Sequence, residues 1–166
     1  MNRPTRPLAD LVERHRAELL RYLVRLLGNE ADAQDACQDA LLRAHRAFAR
    51  LAPDSNARAW LYRIATNCAR TNARRRGRRQ GPTVDVDVDG LPAAGGRSAE
   101  QDEELRAVTR AVQALPPRQR AALMLRQFQG LTYAEIALSL GGSEAGARAN
   151  VYQALKKLRA ALGDSR

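Results

Sequence analysis

Apolar side chains recur at intervals of three and four residues through most of this 166-residue chain. In the N-terminal part Leu8, Leu11, Leu19 and Leu23 belong to such a series, and this spacing places them on one face of an amphipathic helix. The alternating pattern of a half-buried strand occurs in the valines and aspartates of residues 84–88, but that run is too acidic and isolated to pair. The sequence therefore predicts an all-α fold.

Capping residues predict where the helices begin. Asn29 follows a glycine and precedes an acidic helix start, as an N-cap does. Thr132 with Glu135 three residues later matches a capping box, and two glycines then separate this short helix from a last helix capped by Ser143. The order of helix, tight turn and helix predicts a helix-turn-helix between residues 132 and 162.

The charge of the chain is unevenly distributed. The whole sequence carries a net charge of +10, divided into +9 for residues 1–80, −6 for residues 81–104 and +7 for residues 105–166. The acidic segment is rich in Gly, Pro and Asp and has no apolar stripe, which is typical of a flexible linker. We therefore expect two small helical domains that behave as separate modules, with a polyanion as partner.

The sequence lacks the signals of a membrane or secreted protein. No apolar run approaches the roughly 18–20 residues of a transmembrane helix, and the N-terminus has no apolar signal-peptide core. We therefore expect a cytoplasmic protein.

Cys37 and Cys68 lie far apart, without a CxxC spacing or nearby histidines, so they are interpreted as reduced, partly buried thiols.

No pattern of catalytic residues is present. Residues 85–90 begin like a calcium loop, but Gly96 stands where the bidentate glutamate would be needed. Clustered carboxylates for metals and a glycine-rich phosphate loop with its Lys and Ser or Thr are both missing from the cationic helices. We therefore expect neither an enzyme nor a bound metal or cofactor.

Residues 58–79, RAWLYRIATNCARTNARRRGRR, contain eight arginines and no acidic residue. At 100° per residue this stretch forms a helix with one apolar and one cationic face. The apolar face carries Leu61, Ile64, Ala65 and Cys68, and the opposite face carries Arg63, Asn67, Arg70, Thr71 and Arg74. Arginines without acidic partners, interspersed with Asn and Thr, indicate a surface that faces nucleic acid.

Three motifs together resemble the bacterial RNA polymerase sigma factors of the extracytoplasmic-function (ECF) group. DAQDACQDALLRAHRAF at residues 32–48 resembles the segment that docks on the polymerase clamp helices. RAWLYRIATN at residues 58–67 resembles the promoter-melting segment, and residues 115–159 resemble the C-terminal helix-turn-helix domain. The resemblance implies a region 2-like domain at 1–80 and a region 4-like domain at 105–166, joined by a linker at 81–104.

The resemblance also implies partners and site residues. The partners are core RNA polymerase, through the clamp helices and flap of its large subunits, promoter DNA and an anti-sigma factor. Polymerase would contact Asp32, Asp35, Gln38, Asp39, Leu42 and Arg43. Aromatic, amide and cationic side chains suited to an unstacked strand would capture the −10 element; they are Trp60, Tyr62, Arg63, Asn67, Arg70, Thr71 and Arg74. The −35 duplex would meet the helix face formed by Arg148, Ala149, Tyr152, Gln153 and Lys156.

The sequence departs from the family pattern around the predicted recognition helix. Gly142 replaces an aliphatic residue after the turn, Gly146 lies inside the helix and Asn150 replaces an arginine. Gly146 should cost about 1 kcal/mol relative to Ala, so we expect weaker or altered −35 reading.

A free-standing helix-turn-helix regulator, binding operators as a dimer, is the alternative function. The clamp-like segment argues against it.

Overall fold

The computed structural model describes residues 6–80, 96 and 98–163, and this part of the chain is helical without any strand. Seven α-helices are present in it, with a short 3₁₀ turn, Phe48–Arg50, after the second. They are α1 (Arg6–Leu27), α2 (Glu30–Ala47), α3 (Ala57–Gln80), α4 (Ala99–Gln113), α5 (Pro117–Gln127), α6 (Tyr133–Leu140) and α7 (Glu144–Gly163). The all-α prediction is confirmed.

The predicted caps are present. The Asp32 amide donates to Asn29 Oδ1 at 2.9 Å at the start of α2. Both bonds of the capping box between Thr132 and Glu135 form at the start of α6. The Gly146 amide donates to the Ser143 hydroxyl at 3.0 Å at the start of α7. These side chains satisfy amides that have no partner inside their own helices.

Helices α1, α2 and α3 form the first block. Helix α2 buries alanines rather than large side chains, which allows the neighbouring helices to approach closely. Helix α1 contributes Leu19, Tyr22 and Leu23 to the core, and α3 contributes Leu61 and Ala65. The Tyr22 ring meets the Tyr62 ring edge to face, with centroids 5.2 Å apart.

Helices α4 to α7 form the second block, and its last two helices are the predicted helix-turn-helix. Helix α5 buries Leu123, Met124 and Leu125, and α6 covers them with Ile136. Helix α7 packs through its small and branched side chains, Ala147, Val151 and Ala154. Gly141 and Gly142, with φ of 72° and 127°, reverse the chain between α6 and α7.

The two blocks, which the sequence predicts as separate modules, pack against each other in this structure, α3 on α6 and α1 on α5. Apolar side chains of both blocks belong to one continuous core. Helix α4 begins at Ala99, inside the predicted linker, because Ser98 caps it with a capping box. Residues 81–95, with the calcium-like pattern, lie outside the described residues. None of the described helices is long and apolar enough to cross a membrane.

Candidate nucleic-acid interface

The outer face of α3 is cationic. Arg63, Asn67, Arg70 and Arg74 are exposed on it. Among the described residues, no hydrogen bond or ion pair engages these three guanidinium groups. Arg63 and Arg70 lie about one helical turn on either side of Asn67, and Arg74 lies one turn beyond Arg70. The structure therefore brings together the polar part of the predicted strand-binding site.

The other residues of that predicted site are less exposed than its arginines and Asn67. Trp60 is half-buried and packs on Phe48, with ring centroids 6.0 Å apart. Thr71 is half-buried and donates to the Asn67 carbonyl at 2.9 Å. Tyr62, which the sequence predicts on the DNA-facing surface, is completely buried in this arrangement.

Tyr62 is buried at the contact between the two blocks. Its ring meets Tyr22 of α1, and its hydroxyl donates to Gln129 Oε1, just after α5, at 3.0 Å. Ser139 of α6 donates to the carbonyl of Ala59, one turn before Tyr62, at 3.2 Å. Burial raises the pKa of Tyr62. Burial on α3 therefore extends beyond the predicted apolar face, to Tyr62 and Thr66.

Arg58, at the start of α3, connects the two blocks and was not among the predicted site residues. Its guanidinium makes two bonds to Glu18 of α1, at 3.1 and 3.3 Å, and a third to the Gln129 carbonyl at 2.8 Å. The bond to Glu18 raises the pKa of Arg58. Burial would raise the pKa of Glu18, but its hydrogen bonds with Arg58 and His15 lower it. No local pattern indicates this role, because Gln129 lies 71 residues away in sequence.

A second connection between the blocks lies at the end of α1. Gln113 donates to the Arg25 carbonyl and Arg120 to the Leu26 carbonyl, both at 3.1 Å. These carbonyls belong to the last turn, where the helix itself supplies no donors and where a cation is favourable. Burial lowers the pKa of Arg120. Beside this contact a groove of about 540 Å³ lies between the blocks, and Arg70 and Arg74 line it.

The outer face of α7 matches the predicted duplex-reading surface. The exposed side chains there are Arg148, Ala149, Tyr152, Gln153 and Lys156. Tyr152 is 61% exposed, although it is a large aromatic residue. The departures from the family pattern lie beside this face, where Asn150 is half-buried and donates to the Gly146 carbonyl at 3.0 Å. Asn150 is therefore engaged with its own helix.

The predicted polymerase-docking residues form one surface on α2, although their environments differ. The exposed members are Asp35, Gln38, Leu42 and Arg43. Leu42 is 58% exposed, as expected for an apolar contact without its partner. Two acidic members are half-buried and engaged by α3: Asp32 pairs with Arg76, and Asp39 accepts from Asn72 at 3.4 Å.

These features describe a helical protein with a helix-turn-helix and a second cationic helix. A model of sigma-70 region 2 matches residues 11–79, and a model of sigma-70 region 4 matches residues 105–158. The RNA polymerase sigma-H factor of Pseudomonas aeruginosa is 33% identical over 163 residues, covering 92% of this chain and 84% of that protein. The ECF sigma factor SigE of Mycolicibacterium smegmatis is 33% identical over 153 residues, covering 90% and 59%. The ECF sigma factor SigM of Mycobacterium tuberculosis is 37% identical over 155 residues, covering 93% and 76%.

Solved structures support the same relationship. The sigma factor RpoE of Bartonella quintana, in complex with the anti-sigma factor NepR, has the same fold with a TM-score of 0.77 at 24% identity, over 95% of this chain and 98% of that one. CnrH, in complex with the cytosolic domain of CnrY, has a TM-score of 0.71 at 26% identity, over 96% and 89%. The chain belongs to the sigma-70 family of RNA polymerase sigma factors, in its extracytoplasmic-function group.

Proposed function

We propose that this chain is a transcription initiation factor that binds bacterial core RNA polymerase and directs it to specific promoters. The observation that carries this proposal is the presence of two exposed cationic surfaces, on α3 and α7, in a member of this family. One surface suits a single strand and the other suits a duplex. The factor acts by binding rather than by catalysis, and it works in the cytoplasm, where the polymerase is.

The α3 surface would hold the melted strand of the −10 element. Asn67 has donors and an acceptor for the edge of an extruded base, and Arg63 and Arg70 lie one turn away on either side to hold phosphates. Trp60, half-buried beside this face, offers only part of its ring for stacking. The polar residues would therefore provide most of the strand contact.

The α7 surface would meet the −35 duplex. A helix-turn-helix places its second helix in the major groove, where Arg148 and Gln153 can reach base edges and Lys156 can reach phosphates. All three side chains are exposed. The region 4-like domain at 105–166 would thus read the duplex, while the region 2-like domain at 1–80 captures the strand and docks on polymerase.

Two protein partners complete the proposal. The α2 surface, with acidic and amide groups around exposed Leu42, suits the clamp helices of the polymerase, because an apolar centre with a polar rim is typical of protein interfaces. An anti-sigma factor is the second proposed partner, because the similar sigma factor RpoE is bound to the anti-sigma factor NepR in its solved structure.

The experiment separates the two DNA contacts. In complex with core polymerase and a promoter that the complex selects, Asn67→Ala should leave polymerase binding intact and reduce promoter melting. A template already mismatched across the bubble should recover part of that loss. Arg148→Ala should instead weaken promoter capture by about 1–3 kcal/mol if it reads a base edge, and mismatching should help it less. Gln127→Ala, an exposed change outside both surfaces, is the control.

Either of two results would refute the division of roles. Normal promoter melting by the Asn67→Ala variant would show that α3 does not capture the melted strand through Asn67. Equal rescue of both variants by the mismatched template would show that the two surfaces do not act at different steps.

A further inference from the structure

Two arginines of the second block share one aromatic ring. Tyr133 is the first residue of α6, and the guanidinium carbons of Arg126 and Arg148 lie over its ring, 4.6 and 4.5 Å from the centroid. Both distances are well inside the range of about 6 Å in which the face of an aromatic ring attracts a cation. The ring therefore links the end of α5, the start of α6 and the outer face of α7.

The two arginines differ in how firmly they are held. Arg126 is half-buried and donates to the carbonyl of Leu131, a completely buried residue of the turn before α6, at 3.0 Å. The Arg148 side chain is 63% exposed, and besides the ring it has a 3.6 Å ion pair with Glu144 one turn earlier. Such an exposed pair is weak, so the Tyr133 ring is the firmer of these two contacts of the Arg148 guanidinium.

We propose that Tyr133 is a positioning residue that holds the Arg148 guanidinium ready for the major groove, an inference that rests on the proposed duplex-reading role of α7. An arginine on a free stem loses side-chain entropy when it binds, and stacking removes part of that loss beforehand. Arg126 fixes the ring from within the domain. When DNA binds, a base edge replaces Glu144 as the partner of Arg148, while the stack stays.

The alternative is that Tyr133 only packs α6 against its neighbours, since its ring also contacts the core. The two roles predict different results for DNA discrimination. Loss of packing would weaken binding to every sequence alike. Loss of positioning would affect only the base pair that Arg148 reads, and it would have no effect once Arg148 is gone.

The test uses the full chain with core polymerase and a duplex library randomised over eight base pairs of the upstream element. Arg148→Ala identifies the position that this side chain reads, and Gln153→Ala identifies a neighbouring position as the control. Tyr133→Leu should lower the preference at the Arg148 position about two- to fivefold, as expected for an exposed cation–π contact. Tyr133→Leu should leave unchanged the base preference at the position identified by Gln153→Ala. Tyr133→Phe, which keeps an aromatic ring, should retain the preference at the Arg148 position.

In the Arg148→Ala background, Tyr133→Leu should cause no further loss at that position. A uniform loss at all positions, or a further loss in that background, would overturn the positioning role. The positioning role would also be overturned if Arg148→Ala changes the base preference at its position and Tyr133→Leu leaves that preference unchanged. If Arg148→Ala alters no position, the proposed role of α7 fails and the inference fails with it. Should Tyr133→Leu not fold, judged by its helical circular dichroism, Arg126→Met should lower the same preference, and an unchanged preference would overturn the proposal.

Discussion

At the scale of single residues, a buried hydrogen-bond chain fixes the centre of the first block. The Thr66 hydroxyl donates to the Tyr62 carbonyl at 2.7 Å and lies 2.8 Å from the Tyr22 hydroxyl. Because Thr66 has one proton and the carbonyl can only accept it, Tyr22 must be the donor to Thr66. Both side chains are buried, and burial raises the pKa of Tyr22. Thr66 therefore both accepts and donates a hydrogen bond, whereas Tyr22 only donates one to Thr66.

This donor order predicts that removing the Thr66 hydroxyl lowers the free energy of unfolding more than removing the Tyr22 hydroxyl. Thr66→Val leaves the buried Tyr22 hydroxyl without an acceptor and should lower the free energy of unfolding by about 1–3 kcal/mol. Tyr22→Phe leaves Thr66 bonded to the Tyr62 carbonyl and should cost less, about 0.5–1.5 kcal/mol. Urea denaturation of the two variants measures both values. An equal or reversed order would show that the donor assignment is wrong.

At the scale of elements, the turn of the helix-turn-helix depends on an arginine from another helix. Arg118 of α5 donates to the Leu140 carbonyl at 3.1 Å and also to the Gly141 carbonyl, so it caps the C-terminal end of α6. Gly142 has a φ of 127°, and a Cβ there would lie 2.9 Å from Arg118 Nη2. The glycine that departs from the family pattern is therefore required by this turn.

Two glycine substitutions should have opposite effects on stability. Gly142→Ala should lower the free energy of unfolding by about 1–3 kcal/mol, because residues with a Cβ rarely adopt its φ of 127°; the nearby Arg118 guanidinium is the end of a flexible side chain and can move aside. Gly77→Ala should raise it by about 0.5–1 kcal/mol, because this residue lies in α3 with nothing within 4 Å of an added Cβ. Thermal or urea unfolding compares them. Stabilisation by Gly142→Ala would contradict the proposed turn geometry.

At the scale of the whole molecule, polar side chains connect the two blocks near the start of α3 and at the end of α1. Gln129 accepts from Tyr62 and receives Arg58 on its carbonyl, while Gln113 and Arg120 cap the end of α1. These bonds are part-buried and accompany shared apolar contacts, so the interface couples the stability of both blocks. The hidden face of α3, with Tyr62, becomes accessible only when they separate.

The coupling predicts a single cooperative unfolding transition for the isolated chain. The double change Gln113→Ala with Gln129→Ala removes one bridge at each place and should split calorimetric unfolding into two overlapping transitions, because each block keeps its own core. Gln127→Ala, exposed on α5 between these positions, should leave one transition. Two resolved transitions in the unaltered chain would show that the packed arrangement does not persist in solution.

The sequence by itself determined the helices, their caps and the helix-turn-helix. These depend on interactions within about four residues, such as the bond from the Asp32 amide to Asn29 and the capping box of α6. The cationic face of α3 was also predictable, because the angle between residues of one helix is fixed by its geometry. Family membership followed from the motifs carried by these elements.

Only the tertiary structure decided which of those faces remain exposed. Helix periodicity gives the direction of the Tyr62 side chain but not the number of neighbours that cover it, and the covering residue Gln129 lies 67 positions away. The contact between Arg120 and Leu26 spans 94 residues, and no local pattern indicates it. Packing of the second block on α3 and α1 therefore separates the predicted site into an exposed cationic stripe and a buried aromatic part, because burial depends on which helices meet.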